Sequence, residues 1–253
     1  MEASHVERGT DPSRSKGRSV VVAVALGLVG YLFAAVVVGI TAFALMAAGI
    51  PLLDQPTLLL AVSVVMGQGV AFGLFAILYL RYTDRGLGFV RARMPSLRDL
   101  VWVVGGVVAL FVGLFALSAL FATLGIESAS NAVEEFGEQD PRVFLLLVPL
   151  SFLFIGPGEE LLYRGVVQGR LRESFGPWVA IGIASAIFAA VHVFSLQGAG
   201  KLAYLAILLV LSPVLGAAYE WTDNLVVPAL IHGAFNAVQF YAAYLGATGG
   251  LPN

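Results

Sequence analysis

Two adjacent glutamates, Glu159 and Glu160, stand in an otherwise apolar part of the sequence and are the first residues that suggest chemistry. Residues 143–155 just before them carry no charge. A glutamate near the hydrocarbon core costs about 2.5 to 3.5 kcal/mol on insertion scales, so the pair is a functional-site hypothesis. Arg164 lies four residues after Glu160 and can pair with it on one helix face, whereas Glu159 points about 100° away. The spacing predicts one paired and one free carboxylate; a helix end that reaches water is the alternative.

Two of the three histidines, His192 and His232, also lie within apolar stretches. A single histidine in an apolar helix is more often a packing residue than a catalyst, but these two have informative neighbours. Phe188 precedes His192 by four residues, where its ring can hold the imidazole, and Asn236 follows His232 by four residues on the same helix face. Both histidines are therefore candidate site residues.

A glutamate, two histidines and an asparagine could together hydrolyse a peptide bond. A carboxylate shielded from bulk water is a competent general base for water that attacks a carbonyl. A histidine can share that water or protonate the leaving amine, while a neutral imidazole and an asparagine amide can donate to the developing oxyanion. The chain has no cysteine, and no Ser/His/Asp arrangement competes. The residues predict hydrolysis without a covalent intermediate.

The composition requires these residues to act within a membrane. Of the 253 residues, 59% are hydrophobic and only 12% are charged, which excludes an ordinary soluble protein. Segments of about 20 apolar residues can cross the bilayer as helices, and several follow one another here. The net charge of -2 argues against a nucleic-acid partner. The expected partners are membrane lipid and membrane-anchored substrates.

The apolar runs predict an all-α fold with seven transmembrane helices. An eighth helix is possible if Pro213 divides the sixth run. Pro157 and Gly158 are expected to open the backbone just before Glu159, which a membrane helix tolerates where it lines a cavity. The predicted runs are 20–50, 57–80, 100–124, 143–172, 178–196, 202–219 and 225–245.

The distribution of charge predicts the orientation and the domain organisation. Residues 1–18 are polar and basic and are expected to form a cytoplasmic tail, followed by one membrane domain over residues 19–253. The connector 81–99 holds five arginines against two aspartates and is expected inside, and the acidic connector 126–141 is expected as a solvated outer loop. The protein is thus predicted to be integral to the cell membrane with a cytoplasmic N-terminus.

The depth of the candidate residues follows from helical rise. At about 1.5 Å per residue, Glu159 and His192 each lie roughly 20 Å from the predicted cytoplasmic face. His232, counted from Asp223, would lie only about 14 Å deep. Two of the three side chains are therefore expected at one level, and the third fits less well.

Three motifs in order carry a resemblance to a known family. They match the CAAX protease and bacteriocin-processing family of intramembrane proteases, which includes the type II CAAX prenyl endopeptidases, over about residues 149–244. One such motif would be weak, whereas three in order on separate runs are specific. The motifs are Glu159-Glu160-x-x-x-Arg164, Phe188-x-x-x-His192 and His232-x-x-x-Asn236.

The resemblance implies endopeptidase activity near the membrane surface, in an all-α fold with a conical cavity that opens toward the cytoplasm. Eukaryotic members act on prenylated proteins, and prokaryotic members are linked to bacteriocin maturation, self-immunity or protein sorting. The implied roles are activation of water for Glu159 with His192, the oxyanion site for His232 with Asn236, and support of the motif helix for Glu160 with Arg164.

The resemblance also raises the possibility of a metal, since members are often described as metalloproteases. Glu159, His192 and His232 would form a set of two histidines and one glutamate of the kind that binds catalytic zinc. The sequence has no His-Glu-x-x-His helix, and Glu159 could not act as ligand and base at once. A metal-free mechanism is favoured, with zinc as the alternative.

Two other functions fit the same residues. Glu159, His192 and His232 could form the relay of a proton-coupled transporter, because ionisable residues in membranes also line ion paths. The first three runs offer little polarity beyond Gln68, which argues against a path through the membrane. The other alternative is a catalytically idle scaffold or immunity protein that keeps the fold for partner binding.

Overall fold

A computed structural model describes residues 12–250 and shows a bundle of helices with almost no sheet. Two antiparallel strands of two residues each, β1 (Ser130–Asn131) and β2 (Leu196–Gln197), are its extended elements within this range. The helices are α1 (Pro12–Ala47), α2 (Pro56–Tyr82), α3 (Leu97–Thr123), α4 (Ala132–Gln139), α5 (Arg142–Arg172), α6 (Pro177–Val191), α7 (Lys201–Thr222) and α8 (Val226–Ala247).

Seven of these helices are long and apolar enough to cross a membrane, which confirms the predicted all-α fold and its count of spans. Pro213 lies inside α7 without ending it, so the sixth run is one helix. The eighth helix is the short α4, which lies in the acidic connector. Helix α1 begins at Pro12, within the predicted tail of residues 1–18, while residues 1–11 lie outside the described range.

Helix α5 occupies the centre of the bundle. In the most apolar 18 residues of α5, 50% is buried inside the protein. The corresponding share for α3 is 11%, so α3 faces mainly lipid. The buried α5 side chains Leu162, Tyr163, Val166 and Val167 pack with residues of α1, α2 and α6 in one apolar cluster. The glutamate pair is thus carried by the most enclosed helix.

The backbone of α5 does not open at Pro157 and Gly158, contrary to expectation. The helix continues through both residues, and its irregularity is instead two π-helical stretches, Ser151–Ile155 and Leu161–Gln168, on either side of the glutamates. A proline ring clashes with the carbonyl four residues earlier, and a wider π-turn before it relieves that clash. Such turns are frequent at functional sites.

Glycines let the neighbouring helices approach α5 closely at the glutamates. A side chain at Gly158 would overlap the carbonyl oxygen of Gln68 on α2. A Cβ at Gly156 would lie 2.6 Å from the carbonyl oxygen of Ala229 and 3.1 Å from the amide nitrogen of Gly233, both on α8. Backbone contact at these points brings α2 and α8 against the first turn of the motif.

This close approach makes Gly158 a sensitive position. Gly158→Ala is expected to destabilise the protein by about 1 to 3 kcal/mol, because the added methyl group forces α2 away from α5. The free energy of unfolding, measured by SDS titration in mixed micelles, tests this. Gly182→Ala in α6, where a Cβ meets nothing within 4 Å, is the matched control and should leave the stability unchanged or raise it by up to about 1 kcal/mol. Equal stability of the two variants would contradict the contact.

Three polar contacts join the C-terminal parts of α5 and α7. The Arg164 guanidinium donates to the Ser212 hydroxyl at 2.7 Å, and the Gln168 amide donates to the Gly216 carbonyl at 3.1 Å. The Arg172 guanidinium donates to the Glu220 carboxylate at 2.7 Å. In each pair the residues are 48 apart in sequence, so the two helices run parallel with one fixed register.

Arginines of the predicted cytoplasmic connector bind the ends of the helices. Arg93 forms a two-pronged ion pair with Asp99, at 2.6 and 3.1 Å, and its backbone amide donates to Asn224 between α7 and α8. Arg85 pairs with Glu173 after α5, and this hydrogen bond lowers the pKa of the Glu173 carboxyl. The connector therefore crosses one end of the bundle and contacts residues at the ends of α3, α5 and α7.

The acidic connector at the other end is more ordered than the solvated loop that was expected. Asn131 caps α4 by accepting hydrogen bonds from two backbone amides, and strand β1 pairs with β2, which follows the turn at His192. Asp140 accepts hydrogen bonds from Arg142 and Thr57, and these lower its pKa to about 2. This segment therefore covers one end of the bundle beside α2, α5 and α6.

Candidate active site

Glu160 is the buried anchor of the candidate site. Its side chain is fully buried, and its Oε1 accepts a hydrogen bond from Arg164 at 2.8 Å, as the spacing of four residues predicts. The same oxygen lies 2.9 Å from Nδ1 of His232 on α8. Glu160 therefore holds two elements of the site, its own helix and α8.

Glu159 is nearly buried, with 7% of its surface exposed, and it is not free of partners. Its Oε1 accepts a hydrogen bond from the amide Nε2 of Gln68 at 2.9 Å. Its Oε2 lies 3.9 Å from Nε2 of His232, which is an ion-pair distance but too long for a direct hydrogen bond. Of the two oxygens, Oε2 is the one still available to a water molecule.

His232 lies between the two carboxylates, with one ring nitrogen facing each. A carboxylate accepts hydrogen bonds, so Nδ1 carries a hydrogen directed at Glu160. Nε2 then donates toward Glu159 or an incoming oxyanion only when the ring is doubly protonated, because a neutral imidazole has a single N–H. The orientation of this ring is fixed by Glu160.

His192 reaches the site through the ring of Phe188. The two ring centroids are 4.5 Å apart, and the same Phe188 ring lies 6.1 Å from the ring of His232 and under the guanidinium of Arg164 at 4.6 Å. Nδ1 of His192 lies 2.7 Å from the carbonyl oxygen of Phe188. A carbonyl only accepts, so Nδ1 donates, and Nε2 of the neutral ring is left as an acceptor suited to a water hydrogen.

Two of the predicted residues do not join the hydrogen-bonded cluster directly. Asn236 lies one turn beyond His232 on α8, half-buried, and among residues 12–250 its side chain has no hydrogen-bond partner. His192 forms no ion pair with a carboxylate in the described part of the chain. His232, expected to lie at a different level from Glu159, nevertheless meets the glutamate pair, with its Nδ1 2.9 Å from Oε1 of Glu160.

The residues do not fit a metal as they stand. In the described range, no group of three or more histidine, aspartate or glutamate side chains is spaced to hold an ion. Zinc ligands lie about 2.0 to 2.2 Å from the ion, whereas the ring nitrogens of His232 each face a separate carboxylate and His192 stays outside the group. No step of the chemistry below uses a metal.

Gln68 and Ser212 belong to the site and were not predicted as part of it. Gln68 is the only amide side chain in the apolar run 57–80, and an isolated polar residue in a membrane span is a functional signal in itself. Ser212 accepts from Arg164 and gave no such signal, since an isolated serine is common in membrane helices. Tyr163 completes the surroundings, with its ring 5.1 Å from that of Phe188.

Two surface cavities lie away from this cluster. One of about 460 Å³ is lined by Leu100, Val101, Val104 and Gly105 on α3. The other, of about 620 Å³, lies beside Asp54, Thr57 and Asp140 at the end of the bundle covered by the acidic connector. Neither cavity is lined by Glu159, Glu160 or His232.

Fold and site together define a polytopic helical membrane protein with a carboxylate and imidazole centre. Residues 141–238 match the family described as type II CAAX prenyl endopeptidase, Rce1-like, which confirms the resemblance over that region. The match extends from the start of α5 past Asn236 and so includes all three motifs. The helices before α5 lie outside it.

One curated relative and the solved structures complete the comparison. The chain is 36% identical over 98 residues to the uncharacterized protein YpbD of Bacillus subtilis (strain 168). This similarity covers 39% of the chain and 43% of that protein, so it spans less than half of either. No solved structure matches the chain.

Proposed function

We propose that the protein is an intramembrane endopeptidase that hydrolyses membrane-anchored peptides or proteins with a water molecule activated by Glu159. The observation that carries this proposal is the meeting of the three motifs: both glutamates contact His232, and both histidine rings lie against Phe188. The family match over residues 141–238 supports the same reaction class.

The attacking water is placed beside Oε2 of Glu159. A water hydrogen-bonded to this oxygen at about 2.8 Å would lie on the side of Glu159 that faces Nε2 of His232, which is 3.9 Å from Oε2. In the reaction, the water oxygen bonds to the carbonyl carbon and one water proton passes to Glu159. The carbon–nitrogen bond then breaks, and the proton moves from Glu159 to the leaving amine.

The two histidines have different parts in this scheme. Nε2 of His192 accepts a hydrogen and can share the water, as its bond to the Phe188 carbonyl fixes the tautomer. His232, oriented by Glu160, donates from Nε2 to the oxyanion when doubly protonated, and Asn236 on the next turn supplies a second donor. Glu160 and Arg164 hold these groups in place without touching the substrate.

The proposed substrate class is a peptide held at the bilayer by a lipid or an apolar segment. Prenylated C-terminal peptides are the first choice because the matched family is named for prenyl endopeptidases. Peptides of the bacteriocin type are the second. The burial of Glu159 and Glu160 favours a substrate in extended conformation over a folded loop, because an extended chain needs the narrowest opening.

The decisive experiment uses the whole protein reconstituted in lipid vesicles. It is given a farnesylated peptide, the same peptide without the lipid, and a peptide with an apolar membrane segment, each in heavy-oxygen water. Cleavage with heavy oxygen in the new carboxylate of one product is expected for a membrane-anchored peptide. Absence of cleavage for all three peptides would overturn the proposal and favour a scaffold that binds partners.

Proton-coupled transport is tested in the same vesicles with a pH-sensitive dye inside. The convergence of Glu159, Glu160 and His232 on one point supports hydrolysis, because transport needs polar groups spread through the membrane. Polar side chains from Arg164 to Arg172 do continue toward one end of the bundle, but each is hydrogen-bonded to a residue of α7. Proton flux that stops in Glu159→Gln, without peptide cleavage by the wild type, would establish transport instead.

A further inference from the structure

The side chain of Gln68 belongs to α2 and lies outside the region that matches the family, yet it contacts the candidate base directly. Its Nε2 donates to Oε1 of Glu159 at 2.9 Å. This is the hydrogen bond by which the N-terminal half of the chain reaches the glutamate pair among the described residues. The site is therefore shared between the matched region and a helix that precedes it.

The backbone around Gln68 is built to hold the side chain at this place. It lies in the π-helical stretch Ser63–Ala71, between Gly67 and Gly69. A side chain at Gly69 would overlap the ring of Phe154, and one at Gly158 would overlap the Gln68 carbonyl. These glycines therefore let α2 and α5 pack closely enough for the Gln68 amide to reach Glu159.

The other end of the amide has no partner. Oε1 of Gln68 is buried, and no group in residues 12–250 donates a hydrogen bond to it. The orientation of the amide is fixed, because the carboxylate of Glu159 requires the NH₂ group as donor. A buried oxygen without a donor is costly, and in native structures it points to a water or a ligand.

We propose that Gln68 is a positioning residue of the proposed protease: its NH₂ group holds Oε1 of Glu159 and so leaves Oε2 directed at the attacking water. This inference rests on the proposed function. A general base needs one carboxylate oxygen that is free to take a proton from water, and the hydrogen bond from Gln68 occupies the other oxygen of Glu159.

The test compares kcat and KM of Gln68→Met with the wild type in the vesicle assay. Methionine keeps the length and volume of the side chain without either hydrogen bond. We expect kcat to fall about 10- to 100-fold, as for the loss of one hydrogen bond to a charged group, and KM to change less than about twofold. Ser63→Ala, in the same stretch, removes only a bond to the Leu59 carbonyl and should leave both constants unchanged.

A second variant separates contact from polarity. Gln68→Asn keeps an amide in the bilayer but is one carbon shorter, so it should lose kcat as Gln68→Met does. Wild-type kcat in either variant, or a rise in KM with kcat unchanged, would overturn the role of Gln68 while leaving the proposed function in place. Lack of cleavage by the wild type itself would overturn the proposed function and this inference with it.

Discussion

Glu159→Gln is expected to lower kcat for a membrane-anchored peptide by about 100- to 10,000-fold while the protein stays folded. General-base catalysis contributes an effect of this size, and glutamine cannot take a proton from water. The substitution is nearly isosteric, and a glutamine at this position can still accept the hydrogen bond from Gln68. The measurement is initial rate against substrate concentration in vesicles, with the unfolding midpoint recorded in parallel.

The matched control for this experiment is Glu135→Gln, which removes one negative charge from the exposed surface of α4. Its rate should equal that of the wild type. A Glu159→Gln protein that cleaves at the wild-type rate would remove the base from the mechanism, whatever the other variants do.

Glu160→Ala is expected to destabilise the protein by about 3 to 5 kcal/mol, the range measured when one partner of a buried ion pair is removed. Arg164, with 1% of its surface exposed, would keep its charge inside the bundle, and His232 would lose the acceptor that orients it. The motifs alone suggest that Glu160 has only a supporting role and that its loss does less damage than loss of Glu159. The contacts predict that Glu160→Ala loses as much activity as Glu159→Gln. The cause is destabilisation of the protein, not loss of the base.

Unfolding by SDS in mixed micelles distinguishes the two causes. Glu160→Ala should unfold at lower SDS than the wild type, and Glu159→Gln should not. The double variant with Arg164→Met removes the unpaired charge and should recover part of the stability. A Glu160→Ala protein as stable as the wild type would show that the buried pair contributes nothing to folding.

The part of the fold that the sequence predicted is the part that depends on local pattern. The apolar runs required helices of bilayer length, and all seven were found because a helix satisfies its backbone hydrogen bonds in lipid within one continuous segment. The pairing of Glu160 with Arg164 and the stacking of Phe188 on His192 follow from helical periodicity alone. Both contacts lie within one helix or its last turn and do not depend on how the helices pack.

The part that could not be predicted depends on contacts between distant segments. Gln68 is 91 residues from Glu159, and their hydrogen bond exists because Gly158 lets two backbones touch. The predicted opening of the backbone at Pro157 was wrong for a similar reason. The clash of the proline ring is relieved by the π-turn before it, and the helix continues. Counting residues likewise could not predict that His232 meets Glu160, because this contact depends on the packing of α8 on Gly156.

The fixed register of α5 and α7 has a consequence for how a substrate arrives. To slide or part these helices, the protein would have to rupture the contacts of Arg164, Gln168 and Arg172 in one event. These contacts therefore oppose the separation of α5 and α7 at that end of the bundle. For the proposed protease, a lipid-tethered substrate would therefore enter between other helices, and α3 is the spanning helix with the smallest buried share, 11%.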